Sequence, residues 1–161
     1  MDAQDPYAQG RVRRARPDES DFLTDLVFRS KAHWGYLPDY METWRGDMLV
    51  TPEKIAAEDV YVYERGGVVM GYVALCHLDD ETLELDDLFV APEGIGHGIG
   101  RVLWEQAVAV GRRLGCRWMV WDADPFAEPF YRHMGAHSVG FAQSAYYPER
   151  ILPKMVYALA G

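Results

Sequence analysis

Four glycines, Gly94, Gly96, Gly98 and Gly100, alternate between a strand pattern ending at Val90 and an amphipathic helical pattern running from about Gly98 to Leu114. With no Cβ in the way, the amides of such a loop can approach an anion closely. The helix N-terminus behind it adds N–H donors and partial positive charge. The natural reading is a strand–loop–helix unit whose loop binds a phosphate, the alternative being a plain glycine-rich turn. Two common phosphate loops do not fit. A dinucleotide fingerprint needs glycine at its first, third and sixth positions. Counted from Gly94 the sixth residue is Ile99, and from Gly96 it is Arg101. A Walker loop ends in Gly-Lys-Ser or Gly-Lys-Thr, and the sequence has neither.

The segments around the loop set the fold class. Arg11–Ala15 alternates as an edge strand would, and Asp18–Asp21 loads carboxylates and a hydroxyl at a helix start. Phe22, Leu23, Leu26 and Val27 then recur at helical spacing, so a helix is expected to about Lys31. His33–Pro38 breaks it. Tyr40, Met41, Trp44 and Met48 form a second helical pattern, and Pro52–Ala57 a short third. From Val60 the period becomes two: Val60–Glu64, a hairpin turn at Arg65-Gly66-Gly67, Val68–His77 and Thr82–Val90 read as strands. Cys116–Ala123 is expected as a buried strand with Trp118 and Trp121 in the core. A short helix follows near Ala127–Met134, with Pro129 in its first turn, then strands near His137–Phe141 and Leu152–Ala158. No linker separates two cores. The 161 residues are expected to form one α/β (α+β) domain, frayed over residues 1–10, with a mostly antiparallel meander followed by a strand–helix–strand unit.

Charge and composition narrow the partners. The net charge is −9, which opposes nucleic-acid binding and favours small cations. No apolar run approaches the roughly 18 residues of a membrane span, and no secretory signal opens the chain, so a cytoplasmic location is expected. Cys76 and Cys116 read as reduced, small core residues. His77, His133 and His137 do not make a metal-ligand set.

The loop resembles the central motif of the GNAT superfamily of N-acetyltransferases. That motif ends a strand in Val-x-Pro and runs Gln/Arg-x-x-Gly-x-Gly/Ala into a helix. Val90-Ala91-Pro92 matches it, Gly98 and Gly100 hold the two motif glycines, and Ile95 replaces the usual Gln or Arg. A second motif of the superfamily, Asn-x-x-Ala-x-x-x-Tyr-x-x-x-Gly-Phe, resembles Asp124–Ala136: Ala127, Tyr131 and Gly135 match, while Asp124 stands for Asn and Ala136 for Phe. Asp caps a helix as Asn does but donates no hydrogen bond. Lys31–Tyr36, the run from Asp124 to Tyr131, and Arg150–Pro153 also look like a bacterial GNAT subgroup of unassigned substrate.

The resemblance implies a single GNAT-like domain. Its sheet would have six to seven strands, splayed between the fourth and fifth, with about four helices. It implies acetyl-CoA as cofactor and a small-molecule amine as acceptor, and allows a homodimer. The cofactor would be held by Leu88, Phe89 and Val90, by Ile95, Gly96, His97, Gly98, Ile99, Gly100 and Arg101, and by Asp124, Ala127, Phe130 and Tyr131. His97 either adds charge when protonated or is simply exposed. Tyr131 would protonate the departing thiolate, since an ordinary Tyr keeps its proton at neutral pH. Asp86 would face the acceptor, accepting its proton directly or through water, or holding the cation. On an unbroken strand Glu84, Asp86 and Leu88 share one face and Asp87 and Phe89 the other; a bulge between 86 and 89 would hand the role to Asp87. His33, Trp34, Tyr36, Glu84 and Tyr146 would line the acceptor end, aromatic walls suiting a cation. The alternative is a non-catalytic acyl-CoA-binding module of the same fold.

Overall fold

The period-two segments become strands at almost the expected bounds. The computed structural model describes residues 10–43, 45–144 and 150–160. Tyr146, with Tyr147 and Pro148, lies outside the described residues, as do residues 1–9 of the segment expected to fray. The strands are β1 (Arg11–Arg14), β2 (Asp59–Arg65), β3 (Val68–His77), β4 (Thr82–Val90), β5 (Trp118–Asp122), β6 (His137–Gln143) and β7 (Ile151–Ala158). They form a seven-stranded mixed sheet in the order β1-β2-β3-β4-β5-β7-β6. β1–β2, β5–β7 and β6–β7 are antiparallel. The parallel pairing of β4 with β5 covers Thr82–Glu84, three of the nine residues of β4.

The helices are α1 (Ser20–His33), α2 (Pro38–Thr43), α3 (Arg45–Met48), α4 (Pro52–Ala57), α5 (Ile99–Arg113) and α6 (Glu128–His133). The helical pattern at 40–48 falls on α2 and α3, with Trp44 outside the described residues. Local chemistry sets the ends of α4: Pro52 opens it, the Thr51 hydroxyl accepts from the Lys54 amide at 3.0 Å, and the Glu58 amide donates to the Lys54 carbonyl.

Two compact units share these elements. One takes the chain to Ala74 together with Asp87–Gln106, the other Leu75–Asp86 together with Ala107 onward. In the first, Leu23, Leu26 and Val27 of α1, Ile55 of α4, and Val60, Val62, Tyr72 and Val73 of the strands are buried. In the second the buried set is Leu75, Leu83, Leu85, Ala107, Val110, Met119, Trp121, Met155 and Leu159. Each such large aliphatic side chain contributes about 1.5–3 kcal/mol by leaving water. β1 forms an edge and is protected by charge. Arg13 grips Glu19 through two hydrogen bonds, of 2.9 and 2.8 Å, and pairs with Glu64 at 2.9 Å. The Arg13 guanidinium holds the Glu19 carboxyl below the usual carboxylate range.

Two core expectations need correction. Trp118 is 42% exposed, whereas Trp121 is buried. The two are three residues apart, and a strand puts residues at odd separation on opposite faces, so only one can enter the core. Met119 accompanies Trp121 inward, and the strand itself is shorter than 116–123. Cys116 is buried as expected, but Cys76 is only half-buried. Among the described residues no helix is long and apolar enough to cross a membrane, and no group of His, Cys, Asp and Glu is gathered to hold a metal.

Candidate active site

The glycine loop is a sequence of short backbone turns. The Gly94 amide donates to the Ala91 carbonyl at 2.8 Å, Ile95 to Pro92 at 3.3 Å, and His97 to Gly94 at 3.3 Å. Gly96 and Gly98 have φ of +87° and +77°, a region that side chains other than glycine disfavour. A Cβ built on either would meet nothing within 4 Å. These glycines are therefore required by conformation and leave open space over the main chain. Gly98 accepts from Val102 at 3.2 Å and begins the ladder of α5, so the amides of Ile99, Gly100 and Arg101 lie in the first turn, whose N–H groups have no partner within the helix. Ile99 is 1% exposed and anchors that turn. The cradle fits a pyrophosphate, and acetyl-CoA carries one. Ile95 is half-buried and His97 exposed. Arg101 is exposed, with its Nε donating to Glu105 at 3.2 Å. Leu88, Phe89 and Val90 are each half-buried, and the chain leaves β4 through a bond from the Ala91 amide to the Met70 carbonyl at 2.8 Å.

The carboxylates of β4 do not keep a single alternation. Leu83 points to α5, its Cδ2 being 3.3 Å from where a Cβ on Gly111 would stand. Phe89 instead stacks on Tyr72 at 5.9 Å, and the Tyr72 hydroxyl donates to Asp87 Oδ2 at 3.1 Å. Gly71, the neighbour of Tyr72, faces Ile99 and Leu103 of α5, so Tyr72 faces the other way. An unbroken strand would turn 83, 87 and 89 to one side. The alternation therefore slips by one residue between Leu83 and Asp87. Burial agrees: Leu83 and Leu85 are buried, Asp86 is exposed, and Asp87 through Val90 are all half-buried. Glu84, also half-buried, belongs to the second unit with Asp86.

Asp87 has charged company that sequence reasoning missed. Lys54 Nζ lies 3.3 Å from Asp87 Oδ2 and 3.1 Å from Glu58 Oε2. Lys31 Nζ stands 5.6 Å from the centre of the Phe89 ring and 5.1 Å from that of Tyr36. Tyr36 thus joins the Phe89 side of β4, whereas His33 and Trp34 are exposed and pack edge to face at 5.3 Å. A signal existed. Only three of the 16 basic residues are lysines, and two of them, Lys31 and Lys54, come to this face.

The second unit holds Tyr131, Phe130, Ala127 and Asp124. Tyr131 is 6% exposed, with Trp121 at 4.9 Å and Phe130 at 5.3 Å between ring centres. Pro129 falls in the first turn of α6, as expected. Asp124 was expected to cap that helix. It organises the turn before it instead: its Oδ1 accepts from the Phe126 amide at 2.9 Å, its carbonyl accepts from Ala127, and Ala127 is the cap residue. Oδ2 pairs with Arg150 at 3.2 Å, a partner 26 residues on that no local pattern announces.

The structure thus gathers Leu88–Val90 with the loop in one unit and the Asp124–Tyr131 set in the other. Among solved structures, the chain is similar to a PaiA N-acetyltransferase from Thermoplasma acidophilum in complex with coenzyme A, with a TM-score of 0.78, 16% identity, and coverage of 93% of this chain and 99% of that one. A GCN5-related N-acetyltransferase from Rhodopseudomonas palustris gives 0.77 and 16%, covering 97% and 99%. yncA of Salmonella typhimurium, solved with acetyl-CoA, gives 0.68 and 20%, covering 96% of each chain. No curated protein sequence matches the chain. The profile of the Acetyltransferase (GNAT) family matches residues 28–136, and the chain belongs to that family.

Proposed function

We propose that the protein is an N-acetyltransferase that moves an acetyl group from acetyl-CoA directly to the amine of a small cationic acceptor. The observation that carries the reading is the pair of positive-φ glycines opening onto the first turn of α5. The amides of residues 96–101 bind the pyrophosphate, and the backbone of Leu88–Val90 holds the pantetheine arm as an added strand. When bound, acetyl-CoA supplies the thioester from which the acetyl group leaves. Tyr131 gives a proton to the departing thiolate. Its burial against Trp121 and Phe130 supports the role by limiting the ring to few orientations. A carboxylate of the Asp86–Asp87 pair meets the acceptor ammonium and takes its proton, directly or through water. In favour of Asp87 are its half-buried place beside Tyr72 and the aromatic Phe89 on the same face, which suits a cation. Asp86 is exposed and takes the role if the acceptor approaches from the other face.

The test is thiol release from acetyl-CoA over a panel of primary amines, with Asp86→Asn and Asp87→Asn measured beside the parent. The enzyme reading expects amine-dependent release, and one of the two variants should lose most at low pH, where the acceptor is fully protonated. Tight acetyl-CoA binding with no release for any amine would leave an acyl-CoA-binding module.

A further inference from the structure

Lys54 stands between two carboxylates in the first unit. Its Nζ is 3.1 Å from Glu58 Oε2 and 3.3 Å from Asp87 Oδ2, and the Tyr72 hydroxyl donates to that same Oδ2 at 3.1 Å. The side chains of Lys54, Glu58 and Asp87 are 19%, 16% and 20% exposed, enough burial for charge compensation to matter. We propose that Lys54 competes with a cationic acceptor for Asp87: its ammonium holds Asp87 until the acceptor's ammonium takes that place, and Glu58 keeps it when it is displaced. This rests on the reading above that Asp87 meets an amine.

Three features argue for exchange rather than a fixed strut. A lysine ammonium is a point charge on a flexible stem, so it can leave one carboxylate without breaking a two-pronged geometry. Glu58 lies four residues on and is the nearer partner, so Lys54 stays paired when it leaves Asp87. The Tyr72 hydroxyl keeps Asp87 oriented throughout. An uncharged acceptor such as an alcohol cannot repay Asp87 for the loss of Lys54, and taking an ion-pair partner from a half-buried carboxylate is costly. A primary ammonium can. The acceptor class is therefore a small organic cation, and a neutral isostere leaves Lys54 on Asp87.

The experiment measures binding of phenethylammonium by calorimetry to the full chain, to Lys54→Met, to Glu58→Gln and to the double variant, each checked as folded by circular dichroism. Lys54→Met should bind roughly three- to tenfold tighter, and Glu58→Gln several-fold weaker because Lys54 then loses its nearer carboxylate and holds Asp87 more firmly. The double variant is decisive. If Glu58 acts through Lys54, the double variant matches Lys54→Met; if both residues merely add to the local field, it falls midway. Unchanged or weaker binding in Lys54→Met, a midway double variant, or no binding to any of the four proteins would overturn the proposal. 2-Phenylethanol should gain nothing from Lys54→Met. Thiol release is read separately: binding that follows the predicted order without release sinks the enzyme reading and leaves the exchange standing.

Discussion

The loop before α5 and the turn before α6 are both built around short-range bonds, yet they present different atoms. In the loop the main chain faces outward: Gly96 and Gly98 sit at positive φ with open space above them, and the turn bonds of Gly94, Ile95 and His97 run between backbone atoms. Before α6 the side chains do the organising. Asp124 accepts from the Phe126 amide, holds Arg150, and leads into the helix that buries Tyr131. A main-chain site tolerates changed side chains and fails when φ is denied. A side-chain site fails when one functional group is removed from an unchanged backbone.

The sharpest way to test that contrast is Tyr131→Phe. Only a hydroxyl is lost, so the turnover rate should fall about 10²- to 10⁴-fold while acetyl-CoA affinity stays near the parent value. Steady-state kinetics beside calorimetry checks this, and a rate within twofold of the parent removes Tyr131 from the mechanism. Next is Gly98→Val. A branched residue at φ +77° costs about 1–3 kcal/mol. Acetyl-CoA binding should weaken roughly 5- to 100-fold in a protein that remains folded. Unchanged affinity would mean the loop amides do not hold the pyrophosphate. A smaller effect is expected from Asp124→Asn, which keeps the acceptor for the Phe126 amide and gives up the charge pairing with Arg150. Its denaturation midpoint should drop by an amount worth about 0.5–1 kcal/mol, and Asp124→Ala should lose more because the turn bond goes too. Equal losses in the two variants would show that the ion pair, not the turn, carries Asp124's contribution. The smallest effect belongs to His97→Ala, which should leave acetyl-CoA affinity within about twofold, since the backbone donors remain. A tenfold loss there would make His97 a ligand and blur the distinction between the two regions.

Much of this arrangement could be read from residue order. The bounds of β3 and β4, the glycine loop, α5 and Pro129 in the first turn of α6 follow from local rules. Alternation, helical spacing, proline and glycine act within a few residues, and their effects are the same wherever the segment packs. Trp118 marks the point where that reading went astray: treating the strand as buried on both faces ignored that Trp118 and Trp121 must face apart. The partner of Asp124 was invisible for another reason. Arg150 comes to it only because β7 returns beside β5.

The order of residues alone determined that this chain makes a strand–glycine loop–helix unit able to cradle a phosphate, and that a tyrosine follows on a short helix. Both are properties of neighbouring residues. Which of Asp86 and Asp87 faces Tyr72 was decided only in the folded molecule, where the alternation of β4 slips by one residue between Leu83 and Asp87. So was the meeting of Lys54 with Asp87, since the two are 33 positions apart in sequence and their contact is made by how α4 packs on the strands. Periodicity says which residues share a face, but not where the period is interrupted. That choice is made by long-range packing, which acts on the whole strand at once.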